Sequence, residues 1–431
     1  MLGAHPRRKS PMVLFSFLQR LFSIASLAVF LIAGWLLWSW YDANHVAETL
    51  GWPEPSNTGL WWGVGLMAFS LFGRFPLLML LGRSGTTAPA RRAEGFDVPG
   101  ADGALLHVEM EGATDGPILL FTHGWGLSAR IWAEARADLG ARFGLAFWDL
   151  PGLGRSGRPS VGYSLDGFAE DLHAVIDSLP EDRPVILVGH SIGGMTVQTF
   201  CAHHPELLSR RVVAIVLENT THTNPLETMV FSGAIRPLQP LIELACKLDM
   251  VLSPALWVMN WQAWLSGSTH LAARLAGFGA RPTREQLDRT ARLETKNSPA
   301  VQARGNLAML HWSVTDSLPR IDVPALVFVG GRDLITRDHA GETIAAALPQ
   351  GRVIRIRDAG HMGPVEKAAL YNEQIGDFAE FVRLLRSRAP AAPRRSFLSP
   401  DADLAPPAQP DDEPAGRDRP GLGARPSARL L

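Results

Sequence analysis

Short apolar runs, each stopped by glycine or a polar residue, recur along the middle of the chain. Pro184–Val188 is β-branched and unbroken, as a strand buried on both faces reads. Pro117–Thr122, Gly144–Trp148, Arg211–Leu217 and Pro324–Val329 have the same character, and Gly103–Glu109 and Arg352–Arg357 are weaker strand patterns. Helical spacing lies between them. Leu165, Phe168, Leu172, Val175, Ile176 and Leu179 fall on one face of a helix over Leu165–Leu179. Ile131–Leu139, Met195–His203, Ala340–Leu348 and Val365–Leu385 read as further helices. Strands alternating with helices predict an α/β fold with a mostly parallel central sheet flanked by helices. The alternation breaks over 221–318, which is helix-like and rich in Trp, Leu and Met.

The N-terminal pattern is different. Leu21–Trp40 is twenty residues without a charge, enough at about 1.5 Å each to span a bilayer core of about 30 Å. Trp35, Trp38, Trp40 and Tyr41 cluster at its far end like an interfacial aromatic belt. Leu60–Leu81 is apolar again, interrupted by Arg74 and Pro76. The reading is a membrane anchor over residues 1–85, with two transmembrane helices at about 14–40 and 60–82 joined by a polar loop, Asp42–Thr58. Arg7, Arg8 and Lys9 precede the pair, Arg83, Arg91 and Arg92 follow it, and the loop has no Lys or Arg. The positive-inside rule then places the N-terminus and the catalytic domain in the cytoplasm, at a bacterial-type inner membrane. Arg74 is expected to snorkel, or else the second segment is re-entrant or interfacial. A cleaved leader is the competing reading, against which the apolar region is long. Residues 86–94 read as a linker, 95–388 as the soluble domain, and 389–431 as a disordered Pro/Arg-rich tail.

Composition narrows the function classes. A formal net charge of −1 offers no global attraction to nucleic acid. Cys201 and Cys246 are the two cysteines, which makes neither a disulfide framework nor a zinc spacing. His203-His204 reads as a pair at a helix end with no carboxylate or cysteine at ligand spacing, so no metal and no cofactor are expected.

The chemistry lies where strands stop. Gly189-His190-Ser191-Ile192-Gly193 follows the Pro184 strand and opens a helix. It is a G-x-S-x-G turn with Ser191 at the apex, expected at positive φ, while Gly189 and Gly193 spare a crowded turn two Cβ atoms. A hydroxyl needs a base in reach and the base needs an orienting acid. His361, in Asp358-Ala359-Gly360-His361, supplies the base. Asp333, in Gly330-Gly331-Arg332-Asp333, supplies the acid, with Glu218 as its rival. The Ile192 N–H at the helix start is one oxyanion donor. His190 reads as packing, and Asp149 and Arg155 as loop-fixing residues.

HGWG, DLPGLGRS, GHSIGG, GGRD and DAGH follow one another in the order Ser, Asp, His. In this the chain resembles the α/β-hydrolase superfamily over about Gly95–Leu385, and is similar to serine esterases and monoacylglycerol lipases. The resemblance implies an α/β-hydrolase fold in which 221–318 is a helical cap insertion. It implies that Trp125 donates the second oxyanion N–H, with its side chain towards the acyl site and His123-Gly124 supporting the loop. Ser191 as nucleophile argues against epoxide hydrolases and haloalkane dehalogenases, which carry Asp there. Trp257, Trp261 and Trp264, at i, i+4 and i+7, join Met250, Leu256 and Leu265 in an apolar patch. This patch is either cap core, the wall of an acyl pocket, or a membrane-facing lip. The expected activity is hydrolysis of small-molecule or lipid carboxylic esters, with membrane lipids held by the hairpin. The elbow is shared with C–C bond hydrolases and perhydrolases. A silent lipid-binding scaffold is the alternative from another class.

Overall fold

Strand β5 (Val185–His190) is buried throughout and lies inside an eight-stranded sheet. A computed structural model describes residues 13–89, 93–229 and 231–388. The Pro/Arg-rich tail, the basic residues Arg7, Arg8 and Lys9, and Arg91 and Arg92 lie outside the described residues. The strands are β1 (Gly95–Pro99), β2 (Leu105–Gly112), β3 (Ile118–Thr122), β4 (Gly144–Trp148), β5, β6 (Val212–Glu218), β7 (Ala325–Gly330) and β8 (Gly351–Ile356), in the spatial order β1-β2-β4-β3-β5-β6-β7-β8. Pairs from β4 to β8 are parallel, while β1–β2 and β2–β4 are antiparallel. β1 is one strand more than the hydrophobic pattern predicts. Of its five residues only Val98 is buried, so it carries no apolar run, and it is held as an edge by pairing with β2.

The two faces of the sheet follow the pleat. Val185 and Leu187 face a core with Phe168, Leu172 and Phe200. Ile186 and Val188 face the opposite core with Trp132, Tyr371 and Phe378. Helices α4 (Ala133–Leu139), α5 (Leu165–Asp177) and α6 (Ile192–His203) cover the sheet. Between β6 and β7 the insertion is helical: short turns α7 (Pro225–Thr228) and α8 (Ser232–Ile235), then α9 (Gln239–Val251), α10 (Ser253–Ser266), α11 (Ser268–Ala276), α12 (Arg284–Lys296) and α13 (Pro299–Leu310). α14 (Asp338–Ala347) joins β7 to β8. The expected closing helix is two, α15 (Gly363–Glu366) and α16 (Ala368–Arg388), interrupted at Lys367.

The N-terminal region differs from the expected hairpin in its helix boundaries. α1 runs from Val13 to Leu50, so residues 41–50 extend the helix where a loop is expected. Polarity ends a bilayer span but not a helix. Residues 41–50 contain neither Gly nor Pro, and Asn44 and Thr49 donate to the carbonyls of Trp40 and His45 four residues back. Gly51, at φ +67°, stops it. The second apolar stretch is also not one straight helix. α2 (Thr58–Phe72) and α3 (Arg74–Leu81) meet at Gly73 with a 62° bend. Pro76 cannot donate to the turn before it. A Cβ on Gly73 would lie 2.5 Å from the Ser266 carbonyl oxygen, so glycine lets the bend press against α10. One helix, over Gln19–Leu50, is long and apolar enough to cross a membrane, and the bent pair passes only if counted as a single span.

α1 and α3 pack on the cap. The Arg20 guanidinium pairs with Asp249 at 2.5 Å, and Ser26 Oγ donates to Ser266 Oγ at 2.6 Å. Arg74 finds a partner within the protein. Its guanidinium lies 3.8 Å above the Trp264 ring, a cation–π contact that gives the charge a partner.

Candidate active site

β5 ends and α6 begins at Ser191, whose backbone sits at φ 55°, ψ −119°. Few L-residues adopt this conformation, and surrounding structure must enforce it. Ser191 N–H donates to the Glu218 carbonyl at 3.0 Å, and Thr220 Oγ1 donates to the Ser191 carbonyl at 2.6 Å. The turn leaves no room beside it: a Cβ on Gly193 would lie 2.2 Å from the Thr122 carbonyl oxygen, and one on Gly189 2.5 Å from that of Gly193.

Ser191, His361 and Asp333 come together from the ends of three strands. Ser191 Oγ is 2.9 Å from His361 Nε2, and His361 Nδ1 is 3.0 Å from Asp333 Oδ2. Asp333 is held from all sides. Its Oδ1 accepts the N–H groups of Ile335 (2.7 Å) and Thr336 (2.9 Å). Its Oδ2 accepts Thr336 Oγ1 (2.8 Å) and Asn219 Nδ2 (3.0 Å). Burial alone would raise its pKa. His361 beside it, with the bonds from Asn219 and Thr336, brings it below the ordinary carboxylate value. Asp333 is therefore an anion, as an imidazolium partner requires.

Asn219, Thr336 and Tyr371 complete a support that the sequence motifs do not single out. Asn219, itself at φ 48°, donates to both Asp333 and the Gly360 carbonyl, and accepts from Tyr371 Oη at 2.7 Å. The available signal was its position: Asn219 ends β6 as Ser191 ends β5. His190 donates from Nε2 to the His361 carbonyl at 2.9 Å. Burial first, and repulsion from His361 second, push its pKa down to about 3, so it is a neutral ring that holds the His361 backbone.

Ile192 is the first residue of α6, so its N–H has no partner within the helix. Trp125 lies in the turn after β3, and among the described residues its N–H bonds to no other backbone group. The Trp125 side chain is anchored into the cap. Its Nε1 donates to the Gln302 carbonyl at 3.0 Å, its ring stacks near Phe168, and a Cβ on Gly305 of α13 would lie 2.0 Å from it. His123 donates from Nδ1 to the Gly124 carbonyl and accepts Leu150 N–H at Nε2, which fixes one tautomer. Asp149 accepts the N–H groups of Ala129 (2.7 Å) and Arg155 (2.8 Å), tying the loops after β3 and β4 together.

Glu218, the rival acid, does not reach His361. It is fully buried, its carboxyl oxygens have no hydrogen-bond partner among the described residues, and burial pushes its pKa up to about 8. The folded protein therefore holds a proton that the unfolded chain releases near 4.5, and this carboxyl makes stability fall as pH rises from about 4.5 to about 8. Glu294, also pushed up to about 8 by burial, acts in the same window. Glu218→Gln is expected to make the slope of unfolding free energy against pH shallower. It should stabilise the protein at pH 8 by about 1–3 kcal/mol and leave kcat within about threefold. Denaturant unfolding from pH 5 to 8 and ester kinetics check this. A large loss of kcat would make Glu218 the orienting acid.

The cap tryptophans separate. Trp264 lies under Arg74 and beside His270, and Trp261 packs edge-on between Trp257 and Trp264. Trp264 is therefore a seat for α3 rather than an acyl wall. Trp257, 44% exposed, lines a groove of about 820 Å³ that Ser191, Asp333 and His361 do not line. The pair His203-His204 also has company that linear spacing hides. α5 lies against α6, and ligating atoms of Glu170, His173 and His204 lie within 4.8 Å of one another, with Glu170 3.1 Å from His204 Nε2.

Comparison with known proteins agrees with this architecture. The chain is 28% identical over 309 residues to "Probable oxidoreductase EphD" of Mycobacterium tuberculosis, an alignment covering 68% of this chain and 50% of that protein. It thus spans about half the length of these curated relatives. Among solved structures, it is similar to a thermophilic esterase from Thermogutta terrifontis (TM-score 0.54, 22% identity, 68% of this chain and all of that one). It is also similar to an esterase from Exiguobacterium antarcticum (TM-score 0.55, 19% identity, 67% of this chain and all of that one). At these identities the two structures bear on the fold. Residues 119–374 match the Alpha/beta hydrolase family, more than half of the sequence, and the chain belongs to that family.

Proposed function

We propose that this protein is a membrane-anchored serine hydrolase that cleaves carboxylic esters through an acyl-enzyme. The carrying observation is the unbroken relay from Ser191 Oγ through His361 to Asp333, at 2.9 and 3.0 Å. His361 Nε2 takes the Ser191 proton as Oγ attacks the ester carbonyl. The oxyanion is received by the N–H groups of Ile192 and Trp125. His361 returns the proton to the departing alcohol, leaving Ser191 acylated. Water then gives its proton to His361, attacks the acyl carbon and releases the acid, and Ser191 recovers its proton.

Lipid-like acyl groups are the favoured substrates. In support, α1 is packed on the cap through Arg20–Asp249. The positive charges flanking the apolar segments favour a cytoplasmic catalytic domain at a bacterial inner membrane. Small aliphatic esters and lipid esters would share the same relay.

Labelling in spheroplasts tests nucleophile and orientation together. A membrane-permeant fluorophosphonate should label the protein at Ser191, and a charged, impermeant one should not until the membrane is opened. Labelling by neither, before or after opening, overturns the hydrolase. Equal labelling of intact spheroplasts by both overturns the orientation.

A further inference from the structure

The groove of about 820 Å³ lies between the cap and the loops that follow β3 and β4. Its lining combines two characters. Arg130, Arg155, Arg158 and Lys296 all line it, and no Asp or Glu does. Val251 and Trp257 give it an apolar side, 77% and 44% exposed. With no acid in the lining, the guanidinium groups of Arg155 and Arg158 favour an anion in this concavity, and guanidinium forks match the paired oxygens of a phosphate. Among the described residues Arg155 and Arg158 form no ion pair with a carboxylate. The Arg155 guanidinium has instead the His107 ring nitrogen at 3.4 Å. The volume suits a headgroup with the start of its chains.

Location identifies the source of the anion. Val251 is two residues from Asp249, whose carboxylate holds Arg20 of α1. Arg20 is the last charge before the apolar run Leu21–Trp40, so this ion pair marks the polar end of the candidate span. The helix leading to the groove, α9, leaves Leu241, Leu244 and Leu248 exposed, on the side chains nearest in sequence to that boundary. Cations at the polar end of a span, beside exposed leucines, face anionic headgroups if α1 crosses a bilayer.

We propose that this groove binds the phosphate headgroup of an anionic membrane lipid, with Arg155 and Arg158 on the phosphate and Trp257 against the chains. The site lies beside the candidate active site, since Leu127, Ser128 and Arg130 continue the loop that carries Trp125. A lipid held there would orient the cap over its membrane. The proposal rests on the reading of α1 as a span and is independent of ester hydrolysis.

The test is calorimetric titration of the full-length Ser191→Ala protein in uncharged detergent. Turnover falls by about 10⁶ in this variant, so binding is read whether or not the chain is an esterase. Dihexanoyl phosphatidylglycerol is expected to bind about tenfold or more tightly than dihexanoyl phosphatidylcholine. Raising KCl from about 0.05 to 0.5 M should weaken only the first, as screening requires. Adding R155Q/R158Q should bring phosphatidylglycerol to the phosphatidylcholine level, while R155K/R158K should retain the preference. Trp257→Ala should weaken both lipids and leave inorganic phosphate unchanged. Equal binding of the two lipids overturns the proposal, as does full binding by R155Q/R158Q. Displacement of phosphatidylglycerol by an equal concentration of inorganic phosphate makes it a free-phosphate site and overturns the lipid. Should R155Q/R158Q not fold, the salt dependence and the lysine pair decide.

Discussion

Ser191→Ala should lower kcat for p-nitrophenyl esters by about 10⁶, and His361→Ala by about as much. The double variant should be little worse than either single one, because a nucleophile without its base and a base without its nucleophile fail at the same step. A residue of activity should survive above the uncatalysed rate, supplied by substrate binding and the N–H groups of Ile192 and Trp125. The fold should not suffer. Ser191 makes its structural bonds through its backbone, to Glu218 and Thr220, and alanine keeps both. The positive φ is common to both side chains, so the strain is neither relieved nor increased. Unfolding midpoints within about 2 °C of wild type, with kcat collapsed, are the expected pair of results. Near-wild-type turnover by the purified Ser191→Ala protein would remove Ser191 from the mechanism. Additive losses in the double variant would mean that Ser191 and His361 act in separate steps.

The residues at the strand ends were legible because each strand is an apolar run with an abrupt polar stop. Such a stop at the C-terminal edge of a parallel sheet is where ligands bind. What remained hidden depended on contacts between distant segments. β1 lacks an apolar run because only Val98 is buried, so its strand state comes from pairing with β2. The apolar run Leu60–Leu81 does not reveal the break at Gly73, which lies against Ser266. Arg74 was a burden on a span by composition, yet Trp264, 190 residues later, supplies its partner. Asn219 carried no motif, though its amide bridges Asp333 and Gly360. His204 seemed isolated because Glu170 and His173 are on another helix. In each case the residue type was visible and the neighbour that gives it meaning was not.

Asp333→Asn should lower kcat by about 10⁴ while the protein stays folded, because the substitution reverses one hydrogen bond. The two N–H groups of Ile335 and Thr336 fix Oδ1, so the amide oxygen of an asparagine is drawn to that position. The amide NH₂ then replaces Oδ2 and faces His361 Nδ1 as a donor. A protonated Nδ1 would meet donor against donor, so the ring is driven to the tautomer with its proton on Nε2. That nitrogen, 2.9 Å from Ser191 Oγ, can then no longer accept the hydroxyl proton. The same NH₂ opposes Asn219 Nδ2, which keeps the Gly360 carbonyl but loses the acceptor for its other hydrogen, so a stability cost of about 1–3 kcal/mol should accompany the kinetic one. Asn219→Asp in the Asp333→Asn background would not repair the tautomer, since the Asn219 side chain bonds to Asp333, Gly360 and Tyr371 and not to the His361 ring. Steady-state kinetics together with ¹⁵N chemical shifts of the imidazole separate the causes. The shifts should report Nε2–H in the variant and Nδ1–H in the wild type. A loss of less than about tenfold, or an unchanged tautomer with kcat reduced, would show that Asp333 does not set the proton position of His361.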